Sequence, residues 1–284
     1  MIIDFRVGPP LESVGGKPPQ PMPYQNLYHF TDAFLAEYTR MAPEKLLQLI
    51  DQAGIDKIVL PAEDNESTFG TRLPNERLAE FCRRAPERFI GFAGADPHKG
   101  MDAVRQFEYA VRELNLQGLN LGPFLHKLCP TDRRYYPLYA KCIELDVPVI
   151  LHVGINFFQE ASMEYSHPRY LDQVATDLPE LKIVATHGGW PWVTEIVAVA
   201  WKHPNVYIDI AGQSPKYIAM PSMGWAPLMQ LGNSLLQDRI LFATRYPLLM
   251  FERALEEFKQ LPLKEEVKEK WLGKNAARLL KLEA

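Results

Sequence analysis

Val147-Pro-Val-Ile-Leu-His-Val153, followed downstream by Lys182-Ile-Val-Ala-Thr-His187, is the reading that decides the fold. Each is a short aliphatic, β-branched run that delivers a histidine at its end, and the residues between them (170–177) carry a helical pattern. The same alternation extends outward in both directions. Strand-length runs precede this pair at 2–6, 57–61, 89–95 and 118–121, and follow it at 206–210 and 239–244. Helical patterns lie between them at 43–52, 75–84, 101–114, 133–145, 191–202 and 222–231, with 251–260 and 264–282 after the last strand. Strand–helix alternation argues for a parallel sheet. Eight such units without a dinucleotide-binding fingerprint argue for a closed (β/α)₈ TIM barrel rather than an open doubly wound sheet.

The chain has 284 residues, and a barrel of this kind takes about 250. A single domain over 1–284 is therefore expected, with a lid-like insertion at 7–41 after the first strand. That insertion is rich in proline and carries Tyr24, Tyr28, Phe30 and Phe34. A connection this long at the C-terminal end of a barrel strand reads as a pocket wall or, equally, as a surface insertion or subunit contact. Homo-oligomerisation is left open. A second overhang, 155–169, follows the fifth strand and carries Phe157, Phe158, Glu160 and Glu164.

Composition narrows the partners. A chain 47% hydrophobic and 23% charged, with net charge −4, is expected to bury a sizeable core and to present no basic face. Nucleic acid and anionic membranes are not expected partners. Three cysteines without metal-type spacing read as reduced thiols, and with no apolar leader the expected location is cytoplasmic.

Catalytic groups of a barrel sit where strands end. The polar residues at those ends are Asp4 and Arg6, Asn120, His152, His187, Asp209 and Arg245. His152 and His187, on adjacent strands, are the expected acid–base pair, because imidazole titrates near neutrality. Arg6, Arg245, Asn120 and Trp190 are the expected substrate-binding set, the arginines because a guanidinium grips carboxylates through paired hydrogen bonds. For Asp4 and Asp209 structural and functional readings both stand. His98 and His203, beside Pro97 and Pro204, are expected to be solvated, whereas His126 could reach the pocket.

The phrases Ile150-Leu-His-Val-Gly154 and Ala185-Thr-His-Gly-Gly-Trp-Pro-Trp192 resemble the fifth- and sixth-strand signatures of the amidohydrolase superfamily. They resemble in particular the branch containing aminocarboxymuconate-semialdehyde decarboxylase. The likeness continues through His203-Pro-Asn-Val-Tyr-Ile-Asp209, Arg239-Ile-Leu-Phe-Ala-Thr-Arg-Tyr-Pro247 and Gly273-Lys-Asn-Ala-Ala-Arg-Leu-Leu280. It implies the metal-dependent-hydrolase type of barrel and a small carboxylated ring or ring-cleavage product as substrate.

The departures shape the rest. The family's strand-one Asp-x-His-x-His reads here Asp4-Phe5-Arg6-Val7-Gly8, and the aspartate expected before Tyr246-Pro247 is Arg245. A catalytic zinc takes about three protein ligands, and guanidinium cannot become one. No cofactor is therefore expected; the alternative is one divalent metal such as zinc on His152, His187 and Asp209. The first functional expectation is hydrolysis of an activated carboxylated substrate, a lactone or ring-cleavage product. The alternatives are a decarboxylase or carbon–carbon lyase acting on a carboxylated aromatic or semialdehyde, and a non-catalytic binding protein.

Overall fold

All eight expected runs become strands of one parallel sheet. The computed structural model describes residues 1–16 and 30–282. Its strands are β1 (Ile3–Asp4), β2 (Lys57–Pro61), β3 (Phe89–Gly94) and β4 (Leu119–Leu121), then β5 (Val149–Leu151), β6 (Ile183–Ala185), β7 (Val206–Asp209) and β8 (Ile240–Leu241). Each pairs with the next in sequence order. Backbone bonds from Phe5 N to Phe242 O (2.9 Å) and from Arg245 N to Arg6 O (2.7 Å) join the two ends of that order. The result is a nearly closed (β/α)₈ barrel. Its seam, between β1 and β8, is where Arg6, Gly8 and Arg245 lie.

Both faces of the sheet are covered, which is why the strands read as unbroken apolar runs rather than alternating ones. Ile3, Phe5, Val59, Ile90, Phe92, Ile150, Val184 and Leu241 fill the interior, with Phe5 edge-on to Phe92 at 5.8 Å. Their neighbours Ile58, Leu60, Val149, Leu151, Ile183 and Ala185 face the helices. Each of the valine, leucine, isoleucine and phenylalanine side chains contributes roughly 1.5–3 kcal/mol on burial. The helices present complementary faces: in Met101–Arg112, Ala103, Val104, Phe107 and Ala110 are buried, three or four residues apart.

Several expectations need correction. The chain's last helix is not continuous but runs Glu265–Glu269, a π-helical turn Lys270–Lys274, then Asn275–Leu279. The Trp271 carbonyl is drawn out to accept from Phe242 N at 2.8 Å, and that diversion accounts for the widened turn. The insertion after β1 contains a helix, Asp32–Thr39, whose first turn is capped by Thr31 Oγ1 accepting from Phe34 N at 3.1 Å. Tyr24, Tyr28 and His29 lie outside the described residues. His203 is not solvated: it is 8% exposed and its Nε2 lies 2.7 Å from Asp172. A short antiparallel hairpin, Asp64–Asn65 with Thr71–Arg72, follows β2 and was not expected.

Candidate active site at the barrel mouth

A cavity of about 330 Å³ opens at the C-terminal ends of the strands, within the size range of small-molecule sites. Six candidates from the strand ends and their loops line it together: Arg6, Asn120, His152, His187, Trp190 and Arg245. Asp4 and Asp209 do not line it; they lie beneath, fully buried. His126 is also buried elsewhere, between the Tyr135 hydroxyl and the Asp64 carbonyl at 2.9 Å each.

Arg6 is only 3% exposed and is built in from below. Its Nη1 donates to Asn120 Oδ1 at 2.9 Å, and Asn120 Nδ2 is anchored on the Ala62 carbonyl at 2.8 Å. Its Nε is buried with no hydrogen-bond partner. Burial, reinforced by Arg245, lowers its pKa to about 10, so it stays charged at neutral pH. Asp4 serves the backbone instead. Oδ1 accepts from Arg6 N (3.2 Å) and Thr244 N (3.0 Å), and Oδ2 from the Thr244 hydroxyl (2.5 Å).

The histidine rings are 4.8 Å apart between centroids. His187 Nδ1 is 2.7 Å from the Ala211 carbonyl, which fixes the proton on that nitrogen and leaves Nε2 as an acceptor. His152 Nδ1 is paired with the Ser166 hydroxyl at 3.1 Å, and Phe124 packs against the ring at 4.4 Å. Burial, with Arg6 and Arg245 adding repulsion, lowers His187 to about 3 and holds His152 well below the usual imidazole range. Both are neutral imidazoles at physiological pH. His187 and Arg245 also occupy left-handed backbone, with φ of 64° and 57°. For residues with a Cβ this conformation costs about 1–2 kcal/mol, and such outliers cluster at working sites.

Asp209 orients the floor. Its Oδ1 accepts from His187 N (3.0 Å) and Ala211 N (2.9 Å), while Oδ2 is buried without a partner. Burial raises its pKa to about 6, against the opposing pull of Arg6.

The cavity wall also holds residues the sequence reading did not single out as site groups: Glu63, Tyr38, Thr39, Phe124 and Gln213. Glu63 follows β2 as Arg6 follows β1, so the strand-end rule could have found it. Tyr38 had no such signal, because it reaches the cavity from the helix in the insertion. Phe157 and Phe158 line the cavity from the second overhang, as its position implied. Phe30 and Phe34 are not among the lining residues; they pack on each other at 5.2 Å.

The family model for amidohydrolases matches residues 3–282. A gamma-resorcylate decarboxylase from Rhodococcus jostii is 26% identical over 289 residues, covering 84% of this chain and 87% of that protein. An uncharacterised TIM-barrel protein from Bordetella bronchiseptica has a TM-score of 0.79 at 30% identity, over 99% of this chain and 98% of its own. A dihydroxybenzoic acid decarboxylase from Polaromonas, solved with bound manganese and 2-nitroresorcinol, has a TM-score of 0.70 at 20% identity, over 100% and 98%.

Two expectations fall to these findings. Hydrolysis of a lactone or ring-cleavage product is displaced, because the relative and the solved neighbour that carry an activity in their names are decarboxylases. The expectation of no cofactor is displaced as well, because a neighbour of the same fold holds manganese. The alternative ligand set does not assemble, however. Among the described residues no three His, Cys, Asp or Glu side chains are placed to hold a metal ion. Asp209 Oδ1 and His187 Nδ1 are committed to backbone groups, and two guanidiniums line the same cavity. The residues described do not fit the ion. Fold, strand-end signatures and the match over nearly the whole length agree on one assignment: the chain belongs to the amidohydrolase family.

Proposed function

We propose that this protein is a decarboxylase of a small hydroxylated aromatic carboxylate, bound in the mouth cavity with its anionic end on Arg6 and Arg245. The observation that carries this reading is that two arginines, Arg6 and Arg245, line the same cavity as the apolar side chains of Leu11, Leu73, Phe124, Leu125, Phe157 and Phe158. Such a site suits a flat ring with one charged end. In the reaction the bond from ring to carboxylate breaks, its electron pair remains on the ring carbon, CO₂ leaves and a proton takes its place. A ring hydroxyl supplies the electron push that makes the ring carbon basic. His187 Nε2 accepts that hydroxyl's proton and passes it to the ring carbon, the phenolate left behind takes one proton from solvent, and His152 completes the pair. Asn120 holds the Arg6 fork, and Trp190 closes one side. The insertion at 7–41 serves as a lid, a reading supported by Gly8, Pro9, Leu11, Tyr38 and Thr39 along the cavity wall.

The test is turnover of a panel of carboxylated phenols, with manganese supplied, read by chromatography of the decarboxylated phenol. Formation of that phenol with one panel member is the expected result. Tight binding across the panel with no product would favour a binding protein instead.

Charge in the floor makes the affinity pH-dependent. Asp209 is raised to about 6 by burial, so it gains its charge as pH rises through that value. An anion beside Arg6 then competes for the guanidinium, and carboxylate affinity should fall by roughly tenfold, one pKa unit of coupling, between pH 5 and 7.5. The two histidines are neutral across that range and add no slope. Asp4, raised to about 7, also gains charge in this window, so in a fluorescence or calorimetric titration Asp209→Asn should remove the step near pH 6 and leave only what Asp4 contributes near pH 7. An equal slope in wild type and variant would show that another group titrates.

A further inference from the structure

Gly8 occupies the second histidine position of the strand-one pattern that the sequence resembles, and the structure shows what fills the space. A Cβ built on Gly8 would lie 2.5 Å from Arg245 Nη1, 2.7 Å from the Tyr38 hydroxyl and 2.9 Å from the Tyr246 carbonyl. The first two are ends of side chains. The third is backbone pinned to the same residue, since Gly8 N donates to Tyr246 O at 2.8 Å. Arg245 is fixed at its root: its N donates to Arg6 O at 2.7 Å, and its O accepts from Leu248 N at 2.9 Å. With both ends of the seam held, the guanidinium lies where it does because residue 8 has no side chain. Tyr38, on the helix Asp32–Thr39, donates its hydroxyl to the Gly8 carbonyl and is 3% exposed.

We infer that Gly8 and Tyr38 are positioning residues for Arg245: the bare Cα seats the guanidinium, and the tyrosine fixes the insertion helix over that seat. The inference rests on the carboxylate reading of Arg245 proposed above. It makes residues 8, 38 and 245 one unit contributed by β1's end, the insertion and β8's end. It also specifies the ligand end they select, a carboxylate, because a guanidinium fork held at a fixed place discriminates planar anions from neutral ring substituents.

The experiment is a double-mutant cycle read with two probes, 2,6-dihydroxybenzoate and resorcinol, which differ only in the carboxylate. Gly8→Ala and Arg245→Ala should each weaken dihydroxybenzoate binding by tenfold or more and leave resorcinol binding unchanged. The double variant should lose no more than either single one, since coupled residues are not additive. Tyr38→Phe adds no bulk and should give a smaller, severalfold loss on the same probe, again absent in the Arg245→Ala background. It keeps the test available where Gly8→Ala does not fold. Gly8→Ala or Tyr38→Phe losing both probes equally, or losses that multiply with Arg245→Ala, would overturn the inference. Unchanged dihydroxybenzoate affinity in Arg245→Ala would instead overturn the carboxylate reading. No binding of dihydroxybenzoate to the wild type would overturn both.

Discussion

Arg6→Met is expected to lower kcat/KM on a carboxylated phenol by about ten- to a hundredfold, because it removes a charged hydrogen bond to the substrate carboxylate worth roughly 1.5–3 kcal/mol. Methionine retains most of the buried stem, so the packing of the seam survives while the charge and fork are lost. The carboxylate loses its charge as CO₂ departs, so the contact is strongest in the ground state and the loss should appear in Kd and KM rather than in kcat. Arg6→Lys should recover charge without the fork, and Arg245→Lys likewise. Both are expected to bind a competitive carboxylate more weakly than wild type. Asn120 sharpens the comparison. Its Oδ1 accepts from Arg6 Nη1 at 2.9 Å and its Nδ2 is tied to Ala62 O at 2.8 Å, so it cannot turn to serve a shorter, round ammonium. The measurement is a titration with the carboxylate beside steady-state kinetics. Unchanged affinity in both lysine variants would mean that the arginines only plug the mouth.

The barrel was legible because its signal is repeated. Eight apolar runs buried on both faces each point to the same architecture, and an error at one boundary leaves the count intact. The strand-end rule named Arg6, Asn120, His152, His187 and Arg245, and all five line one cavity, because the C-terminal end of a parallel strand is the one place where a barrel can expose polar groups to its mouth. Ionisation states were not legible. His152 and His187 read as groups titrating near neutrality, yet burial and two guanidiniums hold both far lower. That depends on what faces them from β1 and β8, which lie far off in sequence. Tyr38 escaped for a related reason: it reaches the wall through a helix inside an insertion that read as loop. The metal expectation rested on reading lost ligands as lost chemistry. The manganese-bound neighbour corrects that step, although Arg6, Gly8 and Arg245 bring no metal ligand to the seam.

Asp4→Leu is expected to produce the largest loss of stability of any substitution at the site, although Asp4 does not line the cavity. Its carboxylate takes Arg6 N, Thr244 N and the Thr244 hydroxyl across the seam, all buried. Removing the acceptor strands those donors at about 1–3 kcal/mol each. A total of roughly 3–5 kcal/mol corresponds to a fall in Tm of about 6–20 °C at 2–4 °C per kcal/mol. The pH dependence separates the charge from the contacts. Burial raises Asp4 to about 7 against an ordinary 3.8. The folded state therefore holds a proton that the unfolded chain has released between those values. Unfolding releases a proton in that window, so stability from this group is full below pH 4 and declines as pH rises towards 7. His187, lowered to about 3, works in the opposite direction over pH 3–6.5 and masks part of the slope in the wild type. Asp4→Asn keeps an acceptor for Thr244 N and Arg6 N but cannot ionise. Its Tm should fall far less than that of Asp4→Leu at pH 5, and the gap to wild type should narrow or reverse by pH 8. Calorimetric scans of the three proteins at pH 5, 6.5 and 8 measure this directly. Parallel Tm profiles for wild type and Asp4→Asn would show that Asp4 is ionised throughout and that its three donors outweigh burial.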